Sequence, residues 1–212
     1  MGPRNLTAQP IDIAALAREI SDRNTARDRL IVAIAGAPGS GKSTLAEDLA
    51  NRLGAGAAVL PMDGFHLDNA TLRAAGLFAH KGAPNTFDAA GFIALLREVR
   101  AGGAVSYPTF DRNADATVPG GGMIDADTRI VLAEGNYLLL DNAPWDRLAP
   151  LCDLTVQLHV PRHVLEQRLI DRWLAYGLDP EAARARALGN DMRNVDTVVS
   201  TSRPADYVIR QS

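Results

Sequence analysis

Leu30-Ile31-Val32-Ala33-Ile34-Ala35-Gly36-Ala37-Pro38-Gly39-Ser40-Gly41-Lys42-Ser43-Thr44 decides how this chain is read. Leu30 to Ala35 is continuous, apolar and rich in β-branched residues, the pattern of a strand buried on both faces of a parallel sheet. The turn after it has the Gly-x-x-x-x-Gly-Lys-Ser spacing of the Walker A pattern. Glycines let successive backbone N–H groups face one anion. Lys42 adds a cation at the β/γ oxygens, and the Ser43 hydroxyl can ligate Mg²⁺. Apolar spacing from Lys42 to Leu53, stopped by Gly54, predicts a helix whose positive end points at the same anion. The stretch Gly36 to Thr44, every residue included, is therefore the candidate ATP·Mg²⁺ site.

Outward from it, Ala57 to Met62 predicts a short strand ending at Asp63, and Arg129 to Ala133 a buried strand ending at Glu134. Leu154 to Val160 and Asp206 to Ile209 complete the strands. Helices are expected at Ile11 to Ile20, Ala89 to Arg100, Pro161 to Tyr176 and Pro180 to Leu188, the two prolines suiting first-turn positions. Strands alternating with helices predict a three-layer α/β/α fold of the P-loop NTPase kind around a mainly parallel five-stranded sheet. Phe65 to Asp88 is irregular, which suggests a substrate-binding excursion. Ala104 to Tyr107 is a short strand candidate, and Pro108 to Asp127, with Pro119-Gly120-Gly121-Gly122, is expected to be a loop. One domain over residues 1–212 is expected, with 1–28 as an N-terminal helical extension and 161–190 as a helical lid.

Composition narrows the partners. Apolar residues make up 47% of the chain and charged residues 22%, enough for a core and against wholesale disorder. The formal charge is −3 with no block of like charge, so the footprint of a nucleic-acid or membrane-surface protein is missing. Partners are expected to be small molecules, with membrane insertion unsupported for want of a long apolar run. The single cysteine, Cys152, excludes an intramolecular disulfide, suits a reducing cytoplasm and reads as buried filler.

Glu134, at a strand end beside the glycine loop, can hold Mg²⁺ with Ser43, although a strand-end carboxylate can also be merely solvated. Asp63 ends its strand at the same edge and could accept a proton from an attacking hydroxyl, or serve only as a turn or N-cap residue. Arg168 and Arg172 share one helix face and could close over transferring phosphate, or form an ordinary solvated face.

The glycine loop, Met62-Asp63-Gly64-Phe65-His66, Tyr107-Pro108-Thr109-Phe110-Asp111-Arg112 and Glu134-Gly135-Asn136-Tyr137 together resemble the P-loop kinases that include uridine kinase, phosphoribulokinase and bacterial type I pantothenate kinase. Within that family the chain is most similar to small bacterial proteins described as fructose transport system kinases or nucleoside/nucleotide kinase-like proteins. The resemblance implies ATP- and Mg²⁺-dependent phosphorylation of a hydroxyl on a small metabolite, a sugar or a nucleoside. It implies that Asp63 is the catalytic base, that Lys42, Arg168 and Arg172 carry transition-state charge, and that Glu134 acts near the metal. Phe87 and Asp88 resemble the segment shaping the acceptor pocket, where His66, Tyr107 and Arg112 are further candidate contacts. His66 can equally be a buried, satisfied histidine. A pantothenate-type vitamin kinase and an accessory NTPase without a small-molecule acceptor are the alternatives, and a homodimer is compatible with the family.

Overall fold

The computed structural model describes residues 8–24 and 29–211. Its strands are β1 (Gln9–Pro10), β2 (Leu30–Gly36), β3 (Ala57–Pro61), β4 (Val105–Asp111), β5 (Ala116–Ile124), β6 (Ile130–Gly135), β7 (Leu154–His159) and β8 (Tyr207–Arg210). Its helices are α1 (Ile13–Arg23), α2 (Lys42–Leu53), α3 (Asn69–Ala74), α4 (Ala89–Ala101), α5 (Arg162–Ala175), α6 (Pro180–Arg186) and α7 (Met192–Thr201).

The main sheet has the order β1-β8-β7-β2-β6-β3, and every pairing is parallel. The five expected strands are all in it. The two-residue β1 adds an edge strand by pairing Gln9 and Pro10 with Tyr207 and Val208. Such a short segment carries no periodicity that could announce it. Every residue of β2 and β6 is buried, as strands covered by helices on both faces must be.

Register sets the site. Ile34 is level with Glu134, which is level with Pro61 on the far side. The ends of β2, β6 and β3 therefore deliver the glycine loop, Glu134 and Asp63 to one edge of the sheet, where α/β folds bind ligands.

Local chemistry explains where the helices begin. Asp12, Asp68, Asp88 and Asp179 each accept a hydrogen bond from a first-turn N–H of α1, α3, α4 and α6. Asp88 is thus an N-cap, bonded to Gly91 N at 2.9 Å. Arg29 is a buried cation met by carbonyls, not carboxylates: Thr128, Val99, Gly103 and Asp125 all accept from it. These bonds pin the start of β2 to the turns after α4 and before β6.

Two expectations are corrected. The segment after Tyr107 is a strand pair, not a loop: β4 and β5 form an antiparallel ribbon with a bulge between Tyr107 and Thr109. Its glycines are needed because partner side chains occupy their Cβ positions; a Cβ on Gly121 would meet Thr109 Oγ1 at 2.1 Å, and one on Gly122 would meet Tyr107 Cζ at 2.3 Å. The helix expected to stop at Leu188 ends at Arg186, widens into a π-type turn over Ala187–Asp191 and continues as α7. Gly189-Asn190 reads as a stop, but burial of Ala187, Asn190 and Asp191 carries the chain through.

Burial pushes the Cys152 thiol up to about 11, so it is inert packing. Among the described residues no helix is long and apolar enough to cross a membrane.

Candidate active site

The glycine loop leaves β2 at Gly36 and enters α2 at Lys42. Gly39 and Gly41 have φ of 79° and 86°, the left-handed region where side chains are strained. Gly41 caps α2 without any side-chain hydrogen bond, so the first N–H groups of the helix are left for an anion. Ser40 is buried and its hydroxyl has no protein partner. Pro38, Gly39 and Lys42 face a cleft whose other walls come from the segment after β3, from Asn136 and from the helices after β7.

Glu134 is 4% exposed at the end of β6, directly beside the loop. Ser43 Oγ donates to Glu134 Oε1 at 2.9 Å, and Lys42 Nζ is 4.0 Å from Oε2. Burial, assisted by the nearby Asp63 charge, pushes the Glu134 carboxyl above its usual range against the pull of Lys42. A desolvated carboxylate beside a hydroxyl is an oxygen donor set that fits Mg²⁺, which keeps waters and phosphate oxygens as its other ligands. Ser43 and Glu134 would hold the ion. When bound, it supplies charge neutralisation at the β- and γ-phosphate oxygens.

A folded-state pKa raised above the unfolded value means the native state takes up a proton first. Stability therefore falls as pH rises from the ordinary glutamate range through the raised value. Glu134→Gln, which removes the ionisable group, is expected to raise the Tm of the ligand-free protein at pH 7. The same variant is expected to need about tenfold more Mg²⁺, or beyond, for half-maximal turnover. Thermal melts and a Mg²⁺ titration check both parts.

Asp63 follows β3 in the short 3₁₀ turn Met62–Phe65. Arg112 of the β4–β5 ribbon donates to Asp63 Oδ2 at 2.5 Å. Gly64 is there because the ribbon passes so close: a Cβ would lie 1.8 Å from Pro108 O. Gly135 serves in the same way, since a Cβ there would meet Met62 Cβ at 2.6 Å. His66 packs against the rings of Phe87 and Phe110, with centroids 4.0 and 4.5 Å away. Its Nδ1 is 2.8 Å from Asp63 O, which can only accept, so Nδ1 carries the proton. Burial lowers the His66 pKa against the pull of Asp63, with smaller lowering contributions from Lys81 and Arg112, so the ring is neutral at pH 7.

Lys81 also faces the cleft, but its ammonium is committed to Asn69 Oδ1 at 2.7 Å and Asp115 Oδ1 at 2.7 Å. It ties the turn of the ribbon to α3 and so holds Arg112 in place.

The two expected lid arginines part company. Arg168 does not line the cleft and rests against the glycine loop, donating weakly to Gly39 O, Ser40 O and Gln211 Oε1 at 3.3–3.4 Å. Arg172 lines the cleft. Its partner is Asp191 of the π-type turn, which accepts from Arg172 at 3.1 Å and from Trp173 Nε1 at 2.6 Å. Arg186 stacks over the Trp173 ring at 5.1 Å and faces the same cleft. Sequence reasoning passed over Asp191, Trp173, Arg186 and Asn136. Asn136 alone carried a sequence signal, its place in the Glu134-Gly135-Asn136-Tyr137 segment; the π-type turn holding Asp191, of a kind that clusters at functional sites, shows only in the structure.

Of the other expected contacts, Asp63, His66, Phe87 and Arg112 line the cleft. Asp88 is engaged as the cap of α4, and Tyr107 turns its hydroxyl to Val59 O at 3.2 Å; neither lines it.

A glycine loop able to cradle phosphates and an aspartate lining the same cleft are the arrangement of a P-loop kinase. Comparison with known proteins agrees. The profile of the phosphoribulokinase / uridine kinase family matches residues 31–210, and the chain belongs to that family. It is 39% identical over 189 residues to "Uncharacterized protein YggC" of Escherichia coli (strain K12), covering 87% of this chain and 78% of that one. It is 34% identical over 198 residues to "Putative uridine kinase C227.14" of Schizosaccharomyces pombe, covering 87% and 84%. A crystal structure described as a "putative fructose transport system kinase" from Silicibacter sp. TM1040 superimposes with a TM-score of 0.90 at 42% identity, covering 95% of this chain and all of that one.

Proposed function

We propose that this protein transfers the γ-phosphoryl group of Mg·ATP to a hydroxyl of a small metabolite, a sugar or a nucleoside, with Asp63 as the base. The observation that carries the reading is the placement of Asp63 on the wall of the cleft that the glycine loop also lines, two residues past Pro61, which is level with Glu134 along the sheet edge. The names printed for the relatives from Silicibacter and Schizosaccharomyces support sugar and nucleoside acceptors respectively.

In this reading Gly36 to Thr44 wraps the phosphates, with Lys42 at the transferring end. Asp63 orients the hydroxyl and takes its proton as the oxygen–phosphorus bond forms and ADP leaves. Arg172, braced by Asp191, and Arg186, held on Trp173, carry charge on the transferring group from the lid helices. Arg168 braces the glycine loop through its carbonyls. Phe87, Phe110 and His66 exclude water from the floor of the acceptor side.

The reading is tested by ADP release from Mg·ATP against a panel of sugars, nucleosides, pantothenate and other small vitamins, with Lys42→Ala as the blank. An acceptor that raises ADP release well above that blank supports it. Tight ATP binding with no active acceptor sinks it.

A further inference from the structure

The widened turn between α6 and α7 reaches two walls of the cleft at once. Asn190 and Asp191 are neighbours in it, and each is 8% exposed. Polar side chains buried that deeply cost stability unless each is hydrogen-bonded, so their partners show what the turn is for. Asp191 Oδ2 accepts from Arg172 Nη2 at 3.1 Å and from Trp173 Nε1 at 2.6 Å, both on α5. Asn190 Nδ2 donates to Lys81 O at 2.8 Å, in the segment between α3 and α4. Arg172, Trp173 and Lys81 all line the cleft. One residue of the turn therefore holds the lid, and the residue before it holds the wall that carries Lys81, Gly82 and Phe87.

That wall hangs from side chains. Residues 81–87 lie in no strand of either sheet, and their carbonyls are met one by one: Lys81 O by Asn190, Gly82 O by the Tyr137 hydroxyl and Pro84 O by Trp145 Nε1 at 3.3 Å. Tyr137 and Trp145 are sealed in the core, so they fix their two carbonyls whatever the lid does. Asn190 is the donor of the three that belongs to the helices after β7. On the lid side, Arg172 Nη2 is committed to Asp191 while Nε is buried without a partner, so the guanidinium is held but not satisfied. A phosphate on the glycine loop would give it a second anion. Any adjustment of Arg172 toward that anion passes through Asp191 to the adjoining Asn190 and so to the Lys81 carbonyl, along a contiguous path of directional hydrogen bonds.

We propose that Asn190 and Asp191 are positioning residues that couple these two walls, so that a nucleotide phosphate met by Arg172 also steadies residues 81–87. The inference rests on the kinase reading above and adds a regulation of the same site: the wall beside Asp63 is set by the nucleotide before an acceptor arrives. Both residues act through others, Asp191 on Arg172 and Trp173, and Asn190 on Lys81 O. Coupling of this kind is reciprocal in binding free energy, so a ligand resting on residues 81–87 tightens the nucleotide in turn.

The test is amide hydrogen exchange on the full chain, without and with the non-hydrolysable nucleotide Mg·AMP-PNP, so no acceptor is needed. In the wild type the nucleotide is expected to slow exchange in residues 36–44, in α5 and, by about fivefold or more, in residues 81–87, the lower end of coupling between linked sites. Gly82, Ala83 and Thr86 carry the bonded N–H groups that report it. In Asn190→Ala the slowing at residues 36–44 and in α5 is expected to persist while that at residues 81–87 is lost. Asn190→Gln, which keeps an amide donor, is expected to restore part of it, a rescue that a general loss of stability would not show. Slowing at residues 36–44 and in α5 with none at 81–87 in the wild type overturns the inference and leaves the kinase reading standing. So does full slowing at residues 81–87 in a folded Asn190→Ala. No slowing at residues 36–44 in the wild type overturns both.

Discussion

Asp63→Asn is expected to lower kcat by about 100-fold or more while Mg·ATP binds as in the parent, because a positioned base contributes on the order of 10²–10⁴ in rate. The amide keeps the shape of the carboxylate and loses its basicity. The Arg112 guanidinium, 2.5 Å from Asp63 Oδ2, would then face a neutral oxygen. The ribbon itself stays fixed by the Lys81 bonds to Asn69 and Asp115. Geometry is thereby preserved and chemistry removed, so the defect belongs in kcat more than in either KM. Steady-state kinetics with a nucleotide-binding titration separates the two. Parent-like turnover would remove Asp63 from the role of base.

Gly64→Ala is the substitution with the largest expected structural effect. Its new methyl would fall 1.8 Å from Pro108 O and 2.5 Å from Pro108 C, both backbone atoms that no rotamer change can move. The β4–β5 ribbon must shift away, and Arg112 moves with it. Overpacking of this kind costs about 3 kcal/mol, which for a chain of this size lowers Tm by roughly 6 °C or more. A displacement of about 1 Å beside the base is expected to lower kcat/KM by about 100-fold. Thermal melts and kinetics on the same preparation check it. A Gly64→Ala protein as stable and active as the parent would show that the ribbon does not pack against the Asp63 turn as described.

The parts of the site that local sequence specifies were legible. Leu30 to Thr44 announces strand, loop and helix because burial on both faces and glycine spacing are local properties, and Glu134 and Asp63 stand out as acids ending apolar runs. The wall of the cleft opposite the glycine loop was legible only in part. His66, Phe87 and Arg112 do face the cleft, but Asp88 was taken by an N-cap and Tyr107 by Val59 O, competitions that motif order does not reveal. The helix after β7 was found, yet that Arg172 lines the cleft while Arg168 bonds the glycine loop depends on how that helix leans on the loop. Asp191 and Arg186 were hidden by a π-type turn that looks like a helix stop, and β5 by its glycines. Asn136 lay in plain view inside the Glu134-Gly135-Asn136-Tyr137 segment. Only the structure shows that its side-chain oxygen is buried and alone.

The central claim is transfer to an alcohol and not to water. The most direct measurement is a single-turnover reaction with γ-labelled Mg·ATP and the best acceptor of the panel, with the label counted in a phosphate ester and in inorganic phosphate. The account predicts ester formed in step with ADP, little inorganic phosphate, and loss of the ester in Asp63→Asn. Label appearing as inorganic phosphate at the same rate with or without acceptor would contradict it, and would make the protein a nucleotide hydrolase.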